Sequence, residues 1–190
     1  MKNSIAIAGL PGSGKSTLCN RLTSDLGWRI HTIGYLFRER YNEWKIKENK
    51  QNISFEDYWA NVVTDDGIYE VNRIARNMLE QGNIILDSRY AAVNAFGLPS
   101  CLLVLVKAPL DIRAERNKNN PRYNGKSLEE TKKILEDREK EEVRRGYELY
   151  SYIINGNYDY RNENLYHLVL DTSKLTVEEE LDLVKEYLQR

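Results

Sequence analysis

Residue types that dominate metal and redox chemistry are scarce in this chain, which has two cysteines and two histidines among 190 residues. Cys19 and Cys101 are too few for a disulfide framework or a zinc site, and both fall where a small core residue belongs. His31 and His167 leave histidine chemistry little to work with. An excess of one charge is also missing. Basic residues number 28 and acidic residues 29, for a net charge of −1, which argues against a broad nucleic-acid surface. The longest apolar run, Cys101–Val106, is six residues and far short of a membrane span. A strand pattern begins at Ser4, leaving no room for a signal peptide. The expectation is one soluble, cytoplasmic domain, monomeric, with neither nucleic acid nor membrane as partner.

What is present begins with one stretch that specifies a chemistry. Gly9-Leu10-Pro11-Gly12-Ser13-Gly14-Lys15-Ser16-Thr17 fits the pattern G-x-x-x-x-G-K-[ST]. Ser4–Ala8 before it reads as a short buried strand. Leu18, Cys19, Leu22 and Leu26 after it share one helical face, which Gly27 ends. Strand, glycine loop and helix together make a phosphate cradle. The glycines admit backbone N–H groups close to phosphate oxygens, and the helix N-terminus adds its positive dipole end. Lys15 is then placed to reach the β- and γ-phosphates, and the Ser16 hydroxyl to ligate Mg²⁺. The chain is expected to bind a nucleoside triphosphate, ATP being the natural one in the cell interior.

Four further segments read as strands: Asn83–Asp87, Cys101–Lys107, Tyr166–Leu170 and the weaker Trp28–His31. The core strands are near-continuous aliphatic runs, as expected where both faces of a parallel sheet are covered. Helical patterns alternate with them, which predicts an α/β fold, a three-layer α/β/α arrangement around a five-stranded parallel sheet. Ser127 with Glu130 and Thr176 with Glu179 form capping boxes, and Ser54 with Asp57 a variant of one. The core is assigned to 1–32, 82–116 and 151–190. About 33–81 forms a helical, aromatic insertion, and about 117–150 forms a lid that starts with a polar, mobile loop unable to bury itself.

In the long helix after Ser127, nine of the ten residues from Glu136 to Arg145 are charged. Leu128, Leu135 and Leu149 fall on one stripe at a period of 3.6, and Arg138, Glu142 and Arg145 fall on the same stripe. Inward-facing arginines need anionic partners, because unpaired burial is costly. Glu142 satisfies one, whereas a phosphate held beneath the helix satisfies two arginines about 10 Å apart along its axis. Arg113 and Arg116 form a second pair one turn apart, Arg38 follows an aromatic patch, and Arg89 comes two residues after Asp87. Asp87 ends a strand at the edge where ligands of open α/β sheets bind, and is a candidate to hold Mg²⁺ through water, with capping of the next segment as its alternative. Arg73 reads as helix surface.

A GTPase-type switch is disfavoured, since no Asp has Gly three residues on and Asn117-Lys118-Asn119-Asn120 carries Asn120 where a guanine-reading Asp belongs. From about Ser4 to Val184 the chain resembles the cytidylate kinase (CMP kinase) family, in particular its compact archaeal-type branch. The likeness rests on the P-loop, Gly34-Tyr35-Leu36-Phe37-Arg38, Gly82-Asn83-Ile84-Ile85-Leu86-Asp87-Ser88-Arg89 and Arg113-Ala114-Glu115-Arg116. It continues through the Arg138…Glu142…Arg145…Tyr150 spacing and Leu170-Asp171-Thr172-Ser173. The resemblance implies a nucleoside monophosphate kinase converting ATP and CMP or dCMP to ADP and CDP or dCDP, with Mg²⁺. It implies that Arg38 and Arg89 hold the acceptor phosphate and that Arg138 and Arg145 close over the transferred group beside Lys15. Glu142 then orients these arginines or helps hold the acceptor nucleoside. Arg113 and Arg116 would lie near ATP, and Asp171, Thr172 and Ser173 beside the adenine. One departure is Ser88, where the family has glycine between the acidic residue and the arginine; it adds a side chain where close backbone approach is expected. Two alternatives stay open: a kinase of another small acceptor (AMP, UMP or shikimate-like), and a nucleotide-binding regulator without turnover.

Overall fold

A computed structural model describes residues 2–154 and 156–190, without the side chains of Glu56 and Ala60. The chain begins with β1 (Ser4–Gly9), α1 (Lys15–Leu26) and β2 (Arg29–Thr32). Three helices follow: α2 (Ile33–Lys47), α3 (Phe55–Asn61) and α4 (Asp65–Gln81). Then come β3 (Ile84–Asp87), α5 (Ala91–Asn94), β4 (Cys101–Lys107) and α6 (Leu110–Asn117). A 3₁₀ turn at Pro121–Tyr123 leads into α7 (Leu128–Tyr150), and the chain closes with β5 (Leu168–Asp171) and α8 (Val177–Gln189). The strands pair in parallel in the order β2-β3-β1-β4-β5, so the fold is the expected three-layer α/β/α arrangement. Register brings the C-terminal ends of all five strands to one edge: Thr32 lies opposite Asp87, Ile7 opposite Asp87, Gly9 opposite Val106 and Lys107 opposite Asp171.

The continuous apolar runs conceal an alternation that decides the layers. Ile5 and Ile7 point into one core with Leu18 and Leu22 of α1 and Leu181, Val184 and Leu188 of α8. Ala6 and Ala8 point the other way, against Ala75 and Leu79 of α4 and Ala91 of α5. Small side chains on that second face let α4 and α5 seat close to the sheet. Both cysteines are buried in these cores, and burial pushes the Cys19 thiol up to about 12 and the Cys101 thiol up to about 11, so they act as inert packing groups.

Capping chemistry sets the helix starts. Ser127 and Thr176 each accept from the backbone three residues on, while Glu130 and Glu179 reach back to the cap N–H. Ser54 accepts from Asp57 N at 3.0 Å. Two expectations need correction. Leu128 is 39% exposed, because the first helical residue stands at the tip of α7 beyond its neighbours, while Leu135 and Leu149 are buried as their stripe requires. The loop after α6 does bury part of itself. Asn120 caps its 3₁₀ turn, and Tyr123, 2% exposed, packs between Ala114 and Leu135.

A further core has no counterpart in the sequence reading. Tyr90, Tyr150, Tyr158 and Tyr160 meet at ring-centroid distances of 5.0–6.2 Å beneath α7, joined by Phe37, Ile68 and Leu149. Gly146 of α7 faces these rings; a Cβ there would lie 2.9 Å from Tyr90 Cε1.

Candidate active site

The glycine loop leaves β1 and returns into α1 through left-handed backbone at Gly12 (φ 79°) and Gly14 (φ 92°), a conformation that side chains disfavour. It is held from two sides. Asn117 Nδ2 donates to Arg113 O at 2.8 Å directly beneath Gly12, where a Cβ would fall 2.6 Å from that carbonyl oxygen. Thr172 Oγ1 donates to Ser13 O at 2.8 Å and accepts from Arg116 at 2.7 Å. Rigid packing of a turn whose N–H groups head a helix is the arrangement that binds phosphate oxygens.

Two cavities meet over this loop. One, about 1050 Å³, runs from residues 9–17 to Thr172, Leu175, Thr176 and Glu180. The other, about 800 Å³, extends under α7 toward Phe37, Phe55, Trp59 and Leu149. Lys15, Ser16, Arg38, Arg89, Arg122 and Arg138 line both, so five cationic side chains stand at the junction. These residues come from the start of α1, from α2, from the turn after β3, from the 3₁₀ turn at Pro121–Tyr123 and from α7, elements that border the C-terminal sheet edge.

Carboxylates hold these cations in place. Lys15 pairs with Asp87, so the Asp87 side chain turns into the crevice and does not cap the following segment. Glu142 is a hub. It accepts from Arg138 Nε at 2.7 Å, from Arg89, and from the Tyr160 hydroxyl at 3.3 Å, while its backbone carbonyl accepts from Tyr90 at 3.0 Å. Burial, and after it the nearby Arg138 charge, lower the Arg89 pKa. The buried Nε atoms of Arg89 and Arg145 have no hydrogen-bond partner among the described residues. Such donors at a crowded cationic junction suit an incoming oxyanion.

Other expected site residues separate. Arg145 lines only the second cavity, with its guanidinium 5.6 Å from the Trp59 ring centroid; Arg38 lies 5.7 Å from that of Phe55. Arg116 and Thr172 line the first cavity together with Leu10, Pro11, Ser13 and Thr17. Arg113 does not line it. At 5% exposure, its Nε donates to Ala108 O at 3.0 Å and its guanidinium pairs at 3.2 Å with Glu139 of α7, which packs against α6 and holds Arg113 away from the cavity. Asp171 and Ser173 also turn from the cavity toward each other, the carboxylate accepting from the Ser173 N–H at 3.1 Å and hydroxyl at 2.6 Å. These bonds to Ser173 hold the Asp171 carboxyl below its ordinary range. The Ser88 hydroxyl is spent on Asn94 at 2.5 Å and on the Tyr90 N–H at 3.2 Å, a buried use that the sequence does not signal. Arg122, Trp59, Tyr90 and Tyr160 are site residues that sequence reasoning passed over. The one usable signal was Arg122 beside Tyr123, an aromatic residue in an otherwise polar loop.

A parallel sheet ending in a braced phosphate loop, with a two-chambered cationic crevice, defines a P-loop phosphotransferase. A sequence family described as "AAA domain" matches residues 5–144. The cytidylate kinase of Methanopyrus kandleri is 33% identical over 191 residues, covering 95% of this chain and 90% of that protein. The cytidylate kinase of Methanocaldococcus jannaschii is 32% identical over 182 residues, covering 95% and 94%. Among solved structures, a shikimate kinase from Bacteroides thetaiotaomicron superposes with a TM-score of 0.60 at 15% identity, covering 98% of each chain. The chain belongs to the cytidylate kinase family, and it is an ATP-dependent phosphotransferase. No described helix is long and apolar enough to cross a membrane.

Proposed function

We propose that the chain is a nucleoside monophosphate kinase that moves the γ-phosphoryl group of ATP onto CMP or dCMP. The observation that carries this reading is the junction where Lys15, Arg38, Arg89, Arg122 and Arg138 line both cavities at once. Two anions drawn into adjoining chambers need cations between them, and phosphoryl transfer is catalysed mainly by such positioning and charge neutralisation. The donor phosphates would lie along residues 9–17 against Lys15. The acceptor phosphate would lie between Arg38 and Arg89, with its nucleoside toward Phe37, Phe55 and Trp59. Its oxygen is already an anionic nucleophile, so no general base is required. Arg138, and Arg145 from the acceptor side, would neutralise charge on the transferred group. Glu142 positions Arg89 and Arg138 and is engaged by both, which favours its orienting role over a contact with the acceptor nucleoside.

Mg²⁺ fits the oxygen donors beside the phosphate loop, the Ser16 hydroxyl that lines both cavities and the Asp87 carboxylate that lines the second, and when bound would neutralise further phosphate charge. Residues 33–81 are assigned to closing over the acceptor and residues 117–150 over the donor, which excludes water from the reaction. The names of the relatives support the same acceptor class. A coupled assay of ADP release with CMP, dCMP, UMP, AMP and shikimate tests it. CMP and dCMP are expected to give the highest kcat/KM. Turnover on shikimate alone, or ATP binding without turnover on any acceptor, overturns the assignment.

A further inference from the structure

The Ser88 hydroxyl starts a chain of hydrogen bonds that leaves the crevice and ties three helices together. It donates to Asn94 Oδ1 of α5 at 2.5 Å, and Asn94 Nδ2 donates to Asn72 Oδ1 of α4 at 2.8 Å. Asn72 Nδ2 in turn donates to the Tyr150 hydroxyl of α7 at 2.5 Å. Ser88, Asn94 and Tyr150 are buried and Asn72 is half-buried, so water competes little for these bonds and each link polarises the next. The chain has one direction. With its proton committed to Asn94, the Ser88 oxygen keeps a lone pair for the Tyr90 N–H, which donates to it at 3.2 Å. That amide has no other acceptor among the described residues.

What the chain secures is the turn from Asp87 to Tyr90. Asp87 is the last residue of β3, in register with Ile7 and Thr32, and the Ser88 N–H still donates to Ile7 O at 3.1 Å. The sheet therefore fixes Asp87 and the backbone of Ser88, and Arg89 lies one residue beyond its reach. On its far side stands Tyr90, whose hydroxyl donates to the Glu142 carbonyl of α7 at 3.0 Å. Outside glycine, only Asn49 and Asn83 have positive φ among the described residues, so Ser88 takes its place without backbone strain. We propose that Ser88 is a positioning residue: its hydroxyl, clamped between Asn94 and the Tyr90 N–H, aims Arg89 into the second cavity. Without the hydroxyl the Tyr90 amide loses its acceptor, and the turn must shift to find another. The Arg89 guanidinium then leaves the junction, while Lys15 and Asp87 keep their places. Only the kinetic consequence rests on the reading that Arg89 meets the acceptor phosphate; the positioning belongs to the ligand-free chain.

The NMR resonance of the Arg89 Nε–H, in the full chain without ligand, reads that positioning directly and is identified by its absence from Arg89→Lys. In the wild type this buried Nε–H is expected to exchange slowly with water. In Ser88→Ala it should exchange at least about tenfold faster. The Arg113 Nε–H, which donates to Ala108 O far from the turn, should keep its wild-type rate. Asn94→Ala breaks the same bond from its other end and should reproduce the effect, with little added in the double variant. In steady-state kinetics Ser88→Ala should raise the KM for CMP by about tenfold and leave the KM for ATP within about twofold of wild type. An Arg89 Nε–H that still exchanges slowly in Ser88→Ala and Asn94→Ala overturns the proposal even if both variants melt early, since the chain is then packing alone. An equal acceleration at Arg113, or an equal rise in both KM values, overturns it as well. If the wild type does not turn over CMP, the acceptor assignment falls, and the Arg89 resonance still decides the role of Ser88.

Discussion

Glu142→Gln isolates the electrostatic logic of the crevice, because it keeps the shape of the hub and removes only its charge. In the folded chain without ligand, Arg89, Arg138 and Tyr160 all donate to this carboxylate. Removing one partner from a buried ion pair costs about 3–5 kcal/mol. Here the Arg89 and Arg138 side chains are 26% and 34% exposed, so water screens part of the loss. A cost of about 2 kcal/mol follows once that screening is allowed for. For a domain of this size each kcal/mol shifts Tm by about 2–4 °C, so the variant should melt about 4–8 °C below wild type. Inorganic phosphate supplies the missing negative charge at the same guanidinium groups and should narrow the gap between the two proteins in a thermal-shift series. General stabilisation by phosphate raises both proteins alike and leaves the gap unaffected. A gap that stays constant as phosphate is added would refute the view that Glu142 stands in for substrate anions.

Arg138→Ala should lower turnover by about a hundredfold or more with the Kd for ATP largely retained, because in the proposed reaction the side chain would act on the transferred group and not on the P-loop contacts; unchanged kcat removes Arg138 from catalysis. Gly146→Ala should lower the Tm although alanine is favoured over glycine by about 1 kcal/mol in a helix. Its Cβ would stand 2.9 Å from Tyr90 Cε1 and 3.4 Å from Tyr158, and overpacking of that kind costs about 1–3 kcal/mol. Gly67→Ala in α4 is the control, since its Cβ would find only Thr64 Oγ1 at 3.6 Å, and this variant should melt no lower than wild type.

Local signals made most of the architecture readable from the chain alone. β1, β3 and β4 are short aliphatic runs bounded by turn residues, and the P-loop pattern carries its own strand and helix. The cap residues Ser54, Ser127 and Thr176 stand where side-chain oxygens can satisfy free N–H groups. β5 begins two residues later than its pattern suggests, because Tyr166 and His167 lead into the strand while Asp171 ends it. Site residues were less legible where direction depended on tertiary packing. Arg113 and Arg116 look equivalent in sequence, yet the cover of α7 sends one inward to Glu139 and leaves the other on the crevice. Tyr158 and Tyr160 fall in no predicted element, and only the fold brings them to Tyr90, Tyr150 and Glu142.

The alternation of isoleucine and alanine along β1 also bears on how this scaffold can change. The phosphate loop and α1 are anchored through Ile5 and Ile7, whereas α4, and with it the aromatic wall, rests on the opposite side against Ala6 and Ala8. Substitutions at the aromatic end of the second cavity therefore act on a different packing layer from the one that seats α1, and the Lys15–Asp87 pair is a tie between the two. If the second cavity takes the acceptor as proposed, its aromatic end could be varied on one side of the sheet while the packing of the phosphate loop and α1 on the other stays intact.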